Sequence, residues 1–263
     1  MSDRDEFYVG YVDRAPPGIA RWLRGFVVLA FLVAAFLCGV IVAWMRPFDA
    51  GGSEFAPEHR YDGVISLVPV PSLVIARPGT PDTMPGFSRY LLMGPGKDGA
   101  DRLVTGFDGQ AVRVRAVPVF REGHTLLKLQ GEDAVQPLPP DGADHARVPA
   151  LEQAPKVIGA IELAGEIVDP QCFFGLMKPG DGVPHRACAI RCLAGGVPPV
   201  LWSRDASGNS RYHLLLGPKG ERVNRELLAR TAEILQVRGT EVAYGTLLAI
   251  HVDGGLLREA AER

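Results

Sequence analysis

The stretch FVVLAFLVAAFLCGVIVAWM, Phe26 to Met45, carries no charged residue. A helix rises about 1.5 Å per residue, so a run of this length matches a hydrocarbon core of about 30 Å. Residues 26–45 are therefore expected to form one transmembrane helix, preceded by a short segment, 1–25, on one side of the membrane. A cleaved signal peptide is the competing reading. The apolar run is longer than the roughly 7–15 residues usual for one, and AWMRPFDAGG offers no convincing small-x-small cleavage site. Arg14, Arg21 and Arg24 before the span, against Arg46 alone just after it, predict a cytoplasmic N-terminus. Trp22 and Trp44 sit where interfacial anchors would, and Cys38 is a small apolar residue within the span. In a bacterium everything from about Phe48 onward would then be periplasmic, where disulfides persist and exported metal sites occur.

The remainder is bounded by composition. With 47% hydrophobic and 22% charged residues and a formal net charge of -2, the chain is neither disordered nor built to bind nucleic acid. Its 31 glycines and 22 prolines point to a turn-rich, β-rich body. Internal similarity organises that body. SRYLLMGPG (88–96) recurs as SRYHLLLGPKG (210–220), and VRAVPVFREGHTLL (114–127) recurs as VRGTEVAYGTLL (237–248), in the same order. This matching sets Arg89 against Arg211 and Leu91 against His213. Short runs such as AVRVRAVPVF alternate apolar and polar residues, as half-buried strands do, and REGH and AYGT supply hairpin turns.

The fold expected is mainly β: a transmembrane helix, then two tandem OB-like or SH3-like small barrels, the second with a helical Cys/His insertion. The boundaries read as a tether at 46–60, a first barrel at 61–131 and a Pro/Ala/Asp-rich linker at 132–156. A second barrel follows at 157–254, with its insert at 170–199, and a tail at 255–263. NRELLARTAEIL (224–235) is expected to be a helix N-capped by Asn224.

The insert, PQCFFGLMKPGDGVPHRACAIRCLAGGVPP, concentrates three of the four cysteines, whereas the first copy is expected to use PSLVIARPGTPDTMPGF in its place. Pro184 suits a helix start and Gly195-Gly196 its end, with Pro198-Pro199 forbidding continuation. On PHRACAIRCLA, His185, Cys188 and Cys192 stand at i, i+3 and i+7, on one face. Cys172 and Met177 arrive from the preceding Gly-rich loop. Three readings stay open. Thiolate, thioether and imidazole suit a soft transition metal, Cu or Zn ahead of an iron–sulfur cluster, held by a subset of Cys172, Met177, His185, Cys188 and Cys192. The spacing from i to i+7 covers about 10.5 Å of helix axis, which sets His185 and Cys192 apart. A disulfide from Cys172 to Cys188 or Cys192 would staple the loop, stabilising by roughly 3 kcal/mol, but leaves an odd cysteine. A reactive thiol at Cys188 beside His185 and Arg186 is the third, with Asp169 and Asp181 as the nearby carboxylates. His59, His124, His145, His213 and His251 read as surface or satisfied residues.

The stretch GEIVDPQCFFGLMKPGDGVPHRACAIRCLAGGVPP (165–199) resembles a pattern found in bacterial exported or membrane-anchored proteins. In these, Gly-Glu-Ile-Val-Asp leads to a Cys, a Gly-rich loop, His-x2-Cys-Ala-x2-Cys and a Gly-Gly-x-Pro exit. The resemblance implies that Cys172, His185, Cys188 and Cys192 form one motif, in a protein similar to accessory components of redox or metal systems. The expected role is a membrane-anchored periplasmic accessory or metal-binding subunit, partnered by the membrane through 26–45 and by a membrane protein complex. The alternative is an assembly module whose stapled insert is a docking loop. No acid/base pair, phosphate loop or nucleophile elbow is evident, so no catalytic activity of its own is expected.

Overall fold

The computed structural model describes residues 16–45, 51–54, 58–77, 86–139 and 154–256. The chain divides into two units, Met1–Phe48 and Asp49–Arg263.

The first unit holds one helix, α1 (Pro17–Trp44), with none of its residues buried and an 18-residue window of mean hydropathy 3.0. It is long and apolar enough to cross a membrane, a property that an anchor and a signal sequence share. The helix begins nine residues before the apolar run, because Pro17 at its first position has a preset φ and no N–H to waste. Arg21 and Arg24 therefore lie on the helix rather than ahead of it.

In the second unit the N-terminal half contains β1 (Gly52–Ser53), β2 (His59–Ser66), β3 (Ser72–Ala76), β4 (Phe87–Met93), a short helix α2 (Asp101–Val104), β5 (Ala111–Arg121), β6 (His124–Leu129) and β7 (Val135–Pro137). They form a seven-stranded sheet in the order β1-β5-β2-β3-β4-β6, with β7 on β5 and a further pairing of β5 with β6. The C-terminal half contains β8 (Lys156–Val168), a π-helical turn (Cys172–Leu176), α3 (Gly182–Ala194), β9 (Val200–Arg204), β10 (Ser210–Leu216), β11 (Ile234–Tyr244) and β12 (Leu247–Val252). Its five strands close into a barrel in the order β10-β12-β11-β8-β9.

The registers of the two halves run in step. Leu91 pairs Leu126 in parallel and Leu126 pairs Val119; Leu214 pairs Ala249 in parallel and Ala249 pairs Val242. Each member of the second set stands 123 positions after its counterpart in the first (91 and 214, 126 and 249, 119 and 242). This register corrects the sequence alignment. It sets Arg89 opposite Val74 as Tyr212 is opposite Trp202, so Arg89 matches Tyr212 rather than Arg211, and Tyr90 rather than Leu91 matches His213. The repeated Thr-Leu-Leu lies two residues out of step, because both hairpins keep two-residue turns while the letters in them slide.

Alternation along these strands divides the core in three. Leu92, Val112, Val114, Leu127 and Leu129 fill one cluster with Ile65 and Leu73. Leu215, Leu235, Val237, Ile250 and Val252 fill another with Ile167 and Leu201. The opposite faces, Leu91, Met93, Val119 and Leu126 from the first half and Leu214, Leu216, Val242 and Ala249 from the second, meet in a third cluster that includes Cys172, Phe173, Phe174 and Cys192. The cysteine-bearing segment thus belongs to the junction between the halves. Gly99 and Gly195 lock that junction backbone to backbone: the Gly99 N–H donates to the Gly195 carbonyl at 2.8 Å. A Cβ on Gly99 would lie 2.5 Å from the oxygen of Gly196.

Four expectations are corrected. PSLVIA is strand β3, and the stretch that occupies the place of the Cys/His segment in the first half is the short connection 67–71. Residues 224–233 form turns and a 3₁₀ helix (Leu228–Arg230), and 234–235 already belong to β11, which begins at Ile234. Asn224 caps nothing there; its Nδ2 donates to the carbonyls of Leu193 (2.9 Å) and Val197 (2.7 Å) and so satisfies the end of α3. Some of the expected linker 132–156 is built in, since Val135–Pro137 pair with β5, Ala134 and Leu138 are buried and β8 starts at Lys156. Residues 140–153, with His145, lie outside the described residues.

Candidate metal centre

Asp169 organises the segment. It follows the last residue of β8, is fully buried, and its Oδ1 accepts the Cys172 N–H at 2.8 Å, which starts the π-helical turn. Its Oδ2 meets Nε2 of His185 on α3 at 2.9 Å. A carboxylate bonded to one ring nitrogen orients the imidazole and leaves the other nitrogen for a ligand. Helix α3 is docked from both ends. Glu166 on β8 accepts the Gly182 N–H at 2.6 Å, placing a carboxylate at the helix N-terminus where the dipole favours it. Asn224 holds the other end. Burial raises the Glu166 pKa above the ordinary carboxylate value, against the lowering effect of that N–H. Gly180 lets the loop curl against Cys172–Phe173, since a Cβ there would lie 2.6 Å from the Phe173 Cα.

The three sulfurs converge. Cys172 Sγ lies 3.8 Å from Cys188 Sγ and 4.0 Å from Cys192 Sγ, and all are free thiols. A disulfide would require about 2.05 Å. Two thiolates bound to one tetrahedral ion at about 2.3 Å stand roughly 3.8 Å apart, which is the spacing seen. Among the described residues two donor groups are close enough to surround an ion: Cys172, His185 and Cys188, and Asp169, Cys172 and Cys192, each with ligand atoms within 4.8 Å of one another. Cys172 belongs to both. His185 and Cys192 fall in different groups, as the i to i+7 spacing requires. Met177 is in neither; its side chain is 47% exposed.

The first half brings two lysines beside the thiols, which the sequence reading missed. Alternation on β6 sends Leu127 and Leu129 into the core of the first half, so Lys128 points with Leu126 to the junction. Its Nζ donates to the carbonyls of Gly94 (3.1 Å) and Gly96 (2.8 Å). Burial lowers its pKa, while Cys172, Cys192, Asp98 and Asp169 oppose that shift. Lys97, on the loop before α2, has its pKa raised, first by a hydrogen bond with Cys188. The Cys172 thiol is pushed well above its ordinary value by its hydrogen bond with Cys192, by burial and by Asp169. As a metal-free thiol, Cys172 is therefore a poor nucleophile. Only the strand register, read with the tertiary pairing, could have brought Lys128 into view.

Among the described residues the other histidines have partners of their own. His59 meets Glu54, His251 meets the Tyr244 hydroxyl, His124 packs edge-on against Tyr212, and His213 is fully buried against Glu241 at 3.0 Å. Compared with known proteins, the chain matches no family model, no curated protein and no solved structure.

Proposed function

We propose that this chain is a membrane-anchored accessory subunit that holds a soft transition metal, zinc or Cu(I), between two tandem OB-like barrels. The observation that carries this reading is the pair of sulfur separations, 3.8 and 4.0 Å around Cys172, beside a histidine already oriented by a buried carboxylate. Thiolate and imidazole donors select such ions over hard cations. Lys128 and Lys97 offset the negative charge that thiolates bring to a buried site.

Duplication is inferred from the registers 123 residues apart and from matched cores. In the first half β4 pairs β6 in parallel and β5 returns to β2; in the second β10 pairs β12 in parallel and β11 returns to β8, a Greek-key ring of the OB-like kind. On that reading the segment 170–199 is an insertion between the first two strands of the second copy. The helix α1, flanked by more arginine before than after its apolar run, anchors the body on the periplasmic side of a bacterial membrane. A place beside a membrane redox system rests on the resemblance of residues 165–199.

Elemental analysis of the full-length protein in detergent tests the metal, together with thiol counting with and without reductant. About one equivalent of zinc or copper and no reducible disulfide is expected; metal-free protein with two oxidised cysteines would overturn the reading. The second reading, an assembly module, is favoured by Val157 and Ile158 on β8, which are 66% and 52% exposed. It predicts retained complex assembly after Cys188→Ser and a wild type without metal.

A further inference from the structure

A second site lies on the junction, formed by side chains other than the metal-ligand candidates. A cleft of about 510 Å³ opens between the two halves, within the range of small-molecule sites. Its walls come from β4 and the β5–β6 hairpin on one side and from β10 and the β11–β12 hairpin on the other. The apolar surface is Leu91, Leu214, Leu247 and Phe174. Phe174 and Tyr212 stand edge to face at 5.1 Å, so an aromatic wall is already in place.

The polar lining has one sign. Arg77, Arg89 and Arg211 line the cleft, with His124, and among the described residues no Asp or Glu does, in a chain whose net charge is -2. Arg89 is 9% exposed, its Nη1 held by Ser66, Ser72 and the Val68 carbonyl, while its Nε is buried without a hydrogen-bond partner. Carboxylates contact two of the lining side chains: Glu241 is 3.6 Å from Arg211, and Glu122 accepts the Tyr212 hydroxyl at 2.8 Å. They fix the orientation of those side chains.

We propose that this cleft binds a small organic anion, an aromatic body carrying a carboxylate. The ring lies on Phe174, Tyr212 and the leucines, and the carboxylate meets the guanidinium groups, whose forked N–H donors suit it. The site is independent of whether the thiols hold metal.

Equilibrium dialysis of 2-naphthoate against the full-length protein in nanodiscs tests this, with empty nanodiscs as reference and 2-naphthalenemethanol as the uncharged comparison. Saturable binding of one naphthoate per chain is expected, with the alcohol at least tenfold weaker. Arg211→Gln, at a side chain 41% exposed, should weaken binding about tenfold, the loss of one charge-assisted contact. Leu247→Trp should abolish it by filling the cleft, with unchanged circular dichroism. No binding above empty discs, equal binding of the alcohol, or an unaltered affinity in Leu247→Trp would overturn the proposal.

Discussion

The buried guanidinium of Arg121, the last residue of β5, donates from Nη1 to the carbonyl of Phe173 at 3.0 Å and lies over the Phe173 ring at 3.8 Å. A residue of the first half therefore holds the neighbour of Cys172. Lysine cannot reproduce a planar group that donates and stacks at once. Arg121→Lys should cost about 1–3 kcal/mol, a fall of several degrees in Tm, followed by circular dichroism of the full-length protein. Metal affinity should fall with it.

The sulfur shared by both donor groups should matter most. Cys172→Ser is expected to reduce metal content to background, whereas Cys192→Ser leaves Cys172, His185 and Cys188 and should keep metal at reduced affinity. Competition with a chromophoric chelator separates the two. Equal loss in both variants would show that the groups act as one.

Asp169 binds the imidazole and the Cys172 N–H. Asp169→Asn keeps the shape and removes the charge, and loss of such an orienting partner lowers metal affinity about 10–100-fold. The same chelator competition reads it. His185→Gln should be at least as severe.

Gly180 packs its Cα side against Cys172–Phe173. Gly180→Ala should destabilise by about 1–3 kcal/mol through overpacking, seen as a lower Tm even with metal removed. Gly109→Ala, where nothing lies within 4 Å of the added Cβ but φ is +71°, separates backbone strain from crowding.

His213 gives a signed pH dependence. Burial lowers its pKa below the ordinary 6.5, against the raising effect of Glu241, with Arg211 adding to the lowering. Between the folded and unfolded values the unfolded chain binds more protons, so stability rises with pH there and is lost as pH falls below about 6.5. His213→Gln should flatten thermal unfolding curves recorded across that interval; an unchanged slope would assign the effect elsewhere.

The strands were legible because alternation and hairpin glycines are local signals, as in AVRVRAVPVF. Helix α3 was legible from its proline start and diglycine end. Register was not: the repeated letters Ser-Arg-Tyr and Thr-Leu-Leu sit one and two positions away from structural equivalence, because backbone pairing and not side-chain identity fixes a strand's neighbours. Residues 224–235 have helical composition, yet Asn224 is drawn off to α3 and the strand β11 claims Ile234 and Leu235, the latter for the core. The cysteines and His185 could be picked out by chemistry alone. Lys128 and Arg121 could not, since each looks like an ordinary charge on a strand until the second half packs against it.

The backbone meeting of Gly99 with Gly195 and Gly196 leaves no side chain to act as a bearing at that point. A rotation of one half against the other would have to break a main-chain hydrogen bond and pull apart surfaces already in touch. The halves are therefore joined main chain to main chain there. The wall behind the thiols is laid by both halves, and neither can be cut away while leaving the other with a finished face.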